Sequence, residues 1–268
     1  MQGLFRNQNR SLIAGCILLS MLLLLLLAGF LIDEEGAYNT VAGQFEAPSL
    51  QHLLGTDKLG RDNFSRIAIG ARSSLSIGAY SVLIGGAVGS AIGIVAAWYG
   101  GWLDLLLARL LDAMKAIPNL LLALMIIAVF GSELPVMVAT VSLLAVPLYA
   151  RMARSATLQL KNRDYILWSR LIGIGDLRIL TRHILPNITA PLLVTASLGF
   201  AGAVLTEASL SYLGLGVPPP IPSWGRMLSE APLFNAPWLA LSNVVVLTIL
   251  VLGFNLLGDG LQKMLDDS

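Results

Sequence analysis

The chain has 268 residues, 56% of them hydrophobic and only 12% charged, with a formal net charge of +1. Ordinary soluble domains carry about 25% charged residues, so half that charge at a mean hydropathy of +0.77 excludes a disordered chain and a water-soluble globule. The near balance of 17 basic and 16 acidic residues leaves no global field to attract nucleic acid.

A membrane-spanning helix needs about 17–25 apolar residues, and six stretches qualify: 11–32, 73–99, 116–132, 134–150, 184–206 and 231–258. The first contains the single cysteine, Cys16, after Ile13-Ala14-Gly15. That pattern is like a lipoprotein processing box, but the leucine run follows the cysteine instead of preceding it. The stretch therefore reads as a retained span, too long for a signal peptide. The third stretch extends backwards through a turn carrying Arg109, Asp112 and Lys115. These recur every three residues, a spacing that allows ion pairs along one helix face. The last span starts near Trp238, after Pro237.

Orientation follows from lysine and arginine in the connections. With the N-terminus inside, twelve basic residues fall on the inner side and five on the outer side, Lys58, Arg61, Arg66, Arg72 and Arg226. Asp33, Glu34, Glu35 and Glu46 follow the first span and agree with an outer face. The expected organisation is all-α, with both termini cytoplasmic. It comprises a tail at 1–10, a first span at 11–32, an external segment at 33–72 and a core at 73–268. The core carries a basic internal loop at 151–182 and an external loop at 207–236 rich in proline and glycine.

No G-x-x-x-x-G-K-[ST], H-E-x-x-H or G-x-S-x-G motif occurs. The two histidines, His52 and His183, fall on opposite predicted sides, which argues against a histidine metal site. The clean spans hold no carboxylate for a proton relay. No catalytic residue, metal ligand or bound cofactor is expected. Gly85, Gly89 and Gly93 repeat at four-residue spacing, a face for close helix packing. Trp224 and Trp238 read as interfacial anchors. Glu207, at the outer end of the fifth span, reads either as a pathway residue or as an interfacial cap.

The internal loop contains D-Y-I-L-W-S-R-L-I-G at 164–173, with Asp164 as a candidate N-cap and Gly173 as the stop of a short helix. Tyr165, Ile166, Leu167, Trp168, Leu171 and Ile172 make it too apolar for a solvated connector, while Ser169 and Arg170 are its polar members. Composition leaves two readings open, a helix that docks into a partner and one that lies on the inner leaflet.

Several stretches resemble the permeases of ATP-binding-cassette importers. Gly173 and Leu185-Pro186 match the spacing of their loop signature, although Leu167, Trp168 and Ser169 stand where that signature has Glu-Ala-Ala. L-G-T-D-K-L-G-R-D-N-F-S-R from Leu54 and E-A-S-L-S-Y-L-G-L-G-V-P-P-P-I-P-S-W-G-R from Glu207 resemble the dipeptide/oligopeptide/nickel family. R-H-I-L-P-N from Arg182 and L-L-G-D-G-L from Leu256 fit as well. The chain is similar to the second permease subunit of that family. This resemblance implies a type I importer fold in a bacterial inner membrane, with alternating access driven by separate ATPase subunits. It implies a second permease as heterodimer partner, two ATP-binding subunits that use ATP and Mg, and an external substrate-binding protein. Short peptides or nickel and metal chelates are the implied substrates. Residues 164–173 would be the ATPase-coupling element, and Glu207, Tyr212, Pro219 and Trp224 would meet substrate or the binding protein. An ATP-independent channel or secondary transporter is the alternative.

Overall fold

In the computed structural model, which describes residues 2–32 and 34–266, uninterrupted apolar runs have become helices and the polar breaks have become corners. The long elements are α1 (Gln2–Leu31), α3 (Asn63–Tyr99), α6 (Leu134–Lys161), α9 (Leu185–Tyr212) and α11 (Pro237–Asp266). The shorter ones are α2 (Glu35–Tyr38), α4 (Gly101–Ala116), α5 (Asn119–Phe130), α7 (Asp164–Leu171), α8 (Asp176–Ile179) and α10 (Trp224–Glu230). A π-helical turn, Leu180–Ile184, fuses α8 to α9. The described residues contain no strand, only an isolated bridge between Thr56 and Asp62. Met1, Asp33 and the final two residues lie outside the described part, as do the side chains of residues 2–10, including Arg6 and Arg10.

Five helices are long and apolar enough to cross a membrane: Ser11–Leu31, Asn63–Tyr99, Leu134–Lys161, Asp176–Tyr212 and Pro237–Leu265. The expected third span is not one straight rod. α4 and α5 meet at 87°, and they make a sixth crossing only as a bent pair. Ile117, the residue before Pro118, is forced into an extended conformation (φ −94°, ψ 130°). The twelve residues of α5 reach only about 18 Å, well short of a bilayer core.

Three helices run farther than the hydropathy suggests, because partners neutralise the charges that broke the pattern. α3 starts at Asn63, where Asp62 caps it by accepting from the Ser65 amide at 2.8 Å. Its Arg66 faces Asp57 and Glu230 and donates to the Ala37 carbonyl. Arg72 pairs with Glu34 at 3.0 Å, donates to the Gly29 carbonyl and covers the Phe30 ring. α6 carries Arg151 and Arg154 beyond the expected exit at residue 150, pairing them with Asp112 and Asp104 of α4. Asp112 therefore bonds across to α6, not along its own helix to Arg109 or Lys115. α9 continues through Glu207 to Tyr212, so only part of 207–236 is loop, and α10 lies inside it.

The core is the close approach of α3 to α6. A Cβ added at Gly85 would lie 2.6 Å from the Ser142 carbonyl oxygen, and one at Gly89 would lie 2.5 Å from that of Val146. At Gly93 it would run into the Ala150 carbonyl. Only hydrogen at these positions lets the backbones meet. α9 packs across this pair, and α1 lies outside it against α11, with Gly15 and Gly260 at their contact.

Candidate functional site

The candidate site residues fall at two ends of the bundle, one built around α10 and the other around α7. At the α10 end, the loop before α3 is tied down by Asp57. Its carboxylate accepts from the Leu59 and Arg61 amides at 2.8 and 3.0 Å, and from Arg61 Nε at 2.7 Å. Burial pushes this carboxyl up, but the Arg61 side chain and the two amides outweigh that and hold it below the usual carboxylate range. Glu230, the last residue of α10, faces Lys58, Arg61, Arg66 and Arg226 at 3.2–3.9 Å. One glutamate thus joins the loop, α3 and α10. His52 completes this end by bonding Asp62 at 3.1 Å.

α10 is seated by its first residue. Trp224 is fully buried and its indole N–H donates to the Ile67 carbonyl of α3 at 3.0 Å. Ser73 Oγ donates to the Pro222 carbonyl, and Gly225 lets the helix touch the Ala208 backbone of α9. Trp224 is therefore a core anchor and not an interfacial one. The seat is buried because an indole can fill it while its single N–H finds a backbone oxygen. Trp238 is half-buried with its indole nitrogen over Gly55. Glu207 is also completely buried, accepting from Ser211 Oγ at 2.6 Å, with the Ser74 and Ser223 hydroxyls facing the same carboxyl. It lies beneath α10, neither open to a pathway nor at an interface. Tyr212 and Pro219 are exposed. The four residues expected to form one outer contact surface thus divide into two buried supports and two surface positions.

At the other end, α7 follows α6 after a break at Asn162 and Arg163. Arg163 occupies the N-cap with no side-chain bond, and Asp164 is the first helical residue, where its charge favours the helix dipole. The helix closes on Gly173, whose φ of +79° is the left-handed stop that glycine adopts freely. The Ile174 amide reaches back to the Ser169 carbonyl at 3.0 Å. Ile166 is fully buried among Ile94, Trp98, Ala153, Ile179, Ile184 and Ile188. Ser169 is buried and donates to the Tyr165 carbonyl. The opposite face is bare: Trp168 is 65% exposed, Leu171 75%, Ile172 73% and Leu177 76%, with Tyr165 and Leu167 beside them. Arg163, Arg170 and Arg178 surround this surface. The result is a short apolar knob on a rigid base.

The base contains contacts that sequence reasoning missed. Lys161 Nζ donates to the Ala97 and Trp98 carbonyls, 3.0 and 2.6 Å away, at the end of α3. Arg154 forms a bidentate pair with Asp104, 2.6 Å at both contacts. An aspartate within the apolar run of α4 was the available signal, since such a charge needs a partner. Between α3, α6 and α9 an apolar cavity of about 490 Å³ is lined by Leu83, Gly86, Ser90, Tyr149, Thr189 and Leu193 among others. Among the described residues, no group of three or more His, Cys, Asp or Glu is placed to hold a metal ion.

Residues 89–268 match the family model described as binding-protein-dependent transport system inner membrane component. Similar proteins include a dipeptide transport system permease of Alkalihalophilus pseudofirmus, 38% identical over 97% of this chain and 86% of that one. A glutathione transport system permease of Pectobacterium atrosepticum is 40% identical over 98% of this chain and 88% of that one. A putative peptide transport system permease of Brucella abortus is 42% identical over 97% and 88%. Among solved structures, the inward-facing MetNI methionine ABC transporter has a chain that superposes with a TM-score of 0.64 at 19% identity, covering 74% of this chain and 95% of that one. It shares the fold. The all-helical layout of the described residues and these similarities agree, and the chain belongs to the family of inner membrane components of binding-protein-dependent transport systems.

Proposed function

We propose that this chain is one of two permease subunits of an ATP-driven importer of short peptides, and that α7 is its contact with an ATPase subunit. The observation that carries this reading is the bare knob of Leu167, Trp168, Leu171 and Ile172 on a base sealed by Ile166. An exposed apolar surface of this kind, held rigidly beyond the spans, is suited to docking. In a chain whose relatives are transport permeases, an ATPase subunit is the partner that reading requires. Both termini and α7 then lie in the cytoplasm, as the basic side chains near α7 favour. The α10 end faces outward to a substrate-binding protein, through the exposed surface around Tyr212 and Pro219. A second permease completes the pathway. Peptide as the substrate class rests on the relatives named for dipeptide, peptide and glutathione transport. Where the family signature has its glutamate, Leu167 makes the joint apolar.

The test is reconstitution of the chain with its ATPase subunits, a second permease and a substrate-binding protein, followed by uptake of labelled dipeptide. Uptake that requires both ATP and binding protein is expected, and Trp168→Asp should release the ATPase subunits from the purified complex. Uptake without ATP, or ATPase binding untouched by Trp168→Asp, would overturn the proposal.

A further inference from the structure

We propose that Trp98 and Arg170 form a transmission joint that moves the α3–α4 corner when α7 moves, making both positioning residues for the transport cycle. This rests on the reading of α7 as the ATPase contact. The covalent link from α6 to α7 is a poor lever: Arg163 is extended (φ −73°, ψ 143°) and no side chain caps the helix start. Contacts made by α7 itself therefore share in carrying its displacement: Ile166 packs among residues of α3, α6, α8 and α9, and Arg170 reaches the end of α3. The Arg170 guanidinium lies 3.9 Å from the centre of the Trp98 ring, within the range of a cation–π contact. Trp98 is 3% exposed, and Ile166 of α7 belongs to the same buried cluster.

The far side of Trp98 is equally constrained. Lys161, the last residue of α6, holds the Ala97 and Trp98 carbonyls. The chain then turns into α4 through Gly100 and Gly101, both at positive φ (66° and 59°). Four residues on, Asp104 grips Arg154 of α6. α7, α3, α4 and α6 thus close a ring of contacts with Trp98 at its centre. A packed ring of rigid helices is the physical form in which a displacement at one site reaches another. Two contacts join α7 to this ring without lying in the knob, Ile166 in the buried cluster and Arg170 on Trp98, and of the two only Arg170 can be changed without opening the core.

The full importer complex in proteoliposomes tests this by the ratio of labelled dipeptide taken up to ATP hydrolysed. Arg170→Gln and Trp98→Leu should keep their ATPase subunits yet lower that ratio by about two- to fivefold. Arg170→Lys and Trp98→Phe, which keep a cation and a ring, should retain most of it. The double variant Arg170→Gln/Trp98→Leu should be no worse than either single one. An unchanged ratio in Arg170→Gln, conservative variants as damaged as the others, or effects that multiply in the double variant would overturn the joint. Loss of ATPase subunits from Arg170→Gln would also overturn it, because Arg170 would then belong to the docking surface. If Trp98→Leu fails to assemble, the Arg170 pair and Trp98→Phe carry the comparison. The underlying reading fails separately, when Trp168→Asp leaves ATPase binding intact.

Discussion

Replacing Gly89 by alanine while leaving Gly202 as the control measures how far the fold depends on backbone contact between α3 and α6. A Cβ at Gly89 would sit 2.5 Å from the Val146 oxygen and 2.9 Å from Tyr149 Cβ. Relief to ordinary contact requires the helices to part by about 0.9 Å. They cannot tilt instead, because Gly85 and Gly93 make the same close approach on either side. Overpacking of this kind costs about 1–3 kcal/mol, offset by about 1 kcal/mol of helix propensity gained over glycine. At Gly202 a Cβ meets nothing within 4 Å, so alanine there brings the gain alone. Gly89→Ala should therefore be about 1–3 kcal/mol less stable than Gly202→Ala. The measurement is unfolding of the purified chain in detergent, followed by helicity and by the monodisperse fraction. Equal midpoints for the two variants would refute the argument that carbonyl contact sets the α3–α6 distance.

Other outcomes follow from the α10 end. Asp57 titrates below its unfolded value, so its stabilisation is complete above about pH 4 and is lost as pH falls through the folded value. Asp57→Asn should flatten the acid limb of a stability profile, and an unaltered limb would contradict this. Trp224→Ala should cost about 3–5 kcal/mol and open the segment around α10 to protease, whereas Trp224→Phe, which keeps a ring in the seat but loses the bond to Ile67 and part of the indole's volume, should cost about 2 kcal/mol. Glu207→Gln keeps an acceptor for Ser211 and should express like wild type, while Glu207→Lys places a cation under α10 and should reduce folded yield sharply. Equal yields would show that the Glu207 pocket tolerates charge.

Much of the fold was legible because a membrane imposes one-dimensional rules: long apolar runs become helices and their interruptions become ends. The glycine stripe of α3 could be read from its spacing, and the helix at 164–173 from its apolar content and Gly173. Charges were harder to place. By hydropathy Arg72 and Arg151 bounded spans and Arg66 and Arg154 fell in the polar connections, yet each lies within a helix and meets a carboxylate from another element. The same holds for Trp224 and Glu207, whose residue types suit a surface as well as a buried seat.

Sequence alone thus determined the membrane class, the helical architecture, most spans and the existence of a short apolar helix at 164–173, since each depends on local composition and period. Only the tertiary structure decided the 87° bend between α4 and α5, the burial of Trp224 and Glu207 and the cluster on Glu230. It alone placed Arg170 over Trp98. These depend on partners up to more than a hundred residues away, such as Trp224 with Ile67. The free energy of a buried polar group is set by the partner it meets, and no local pattern in the chain specifies that partner.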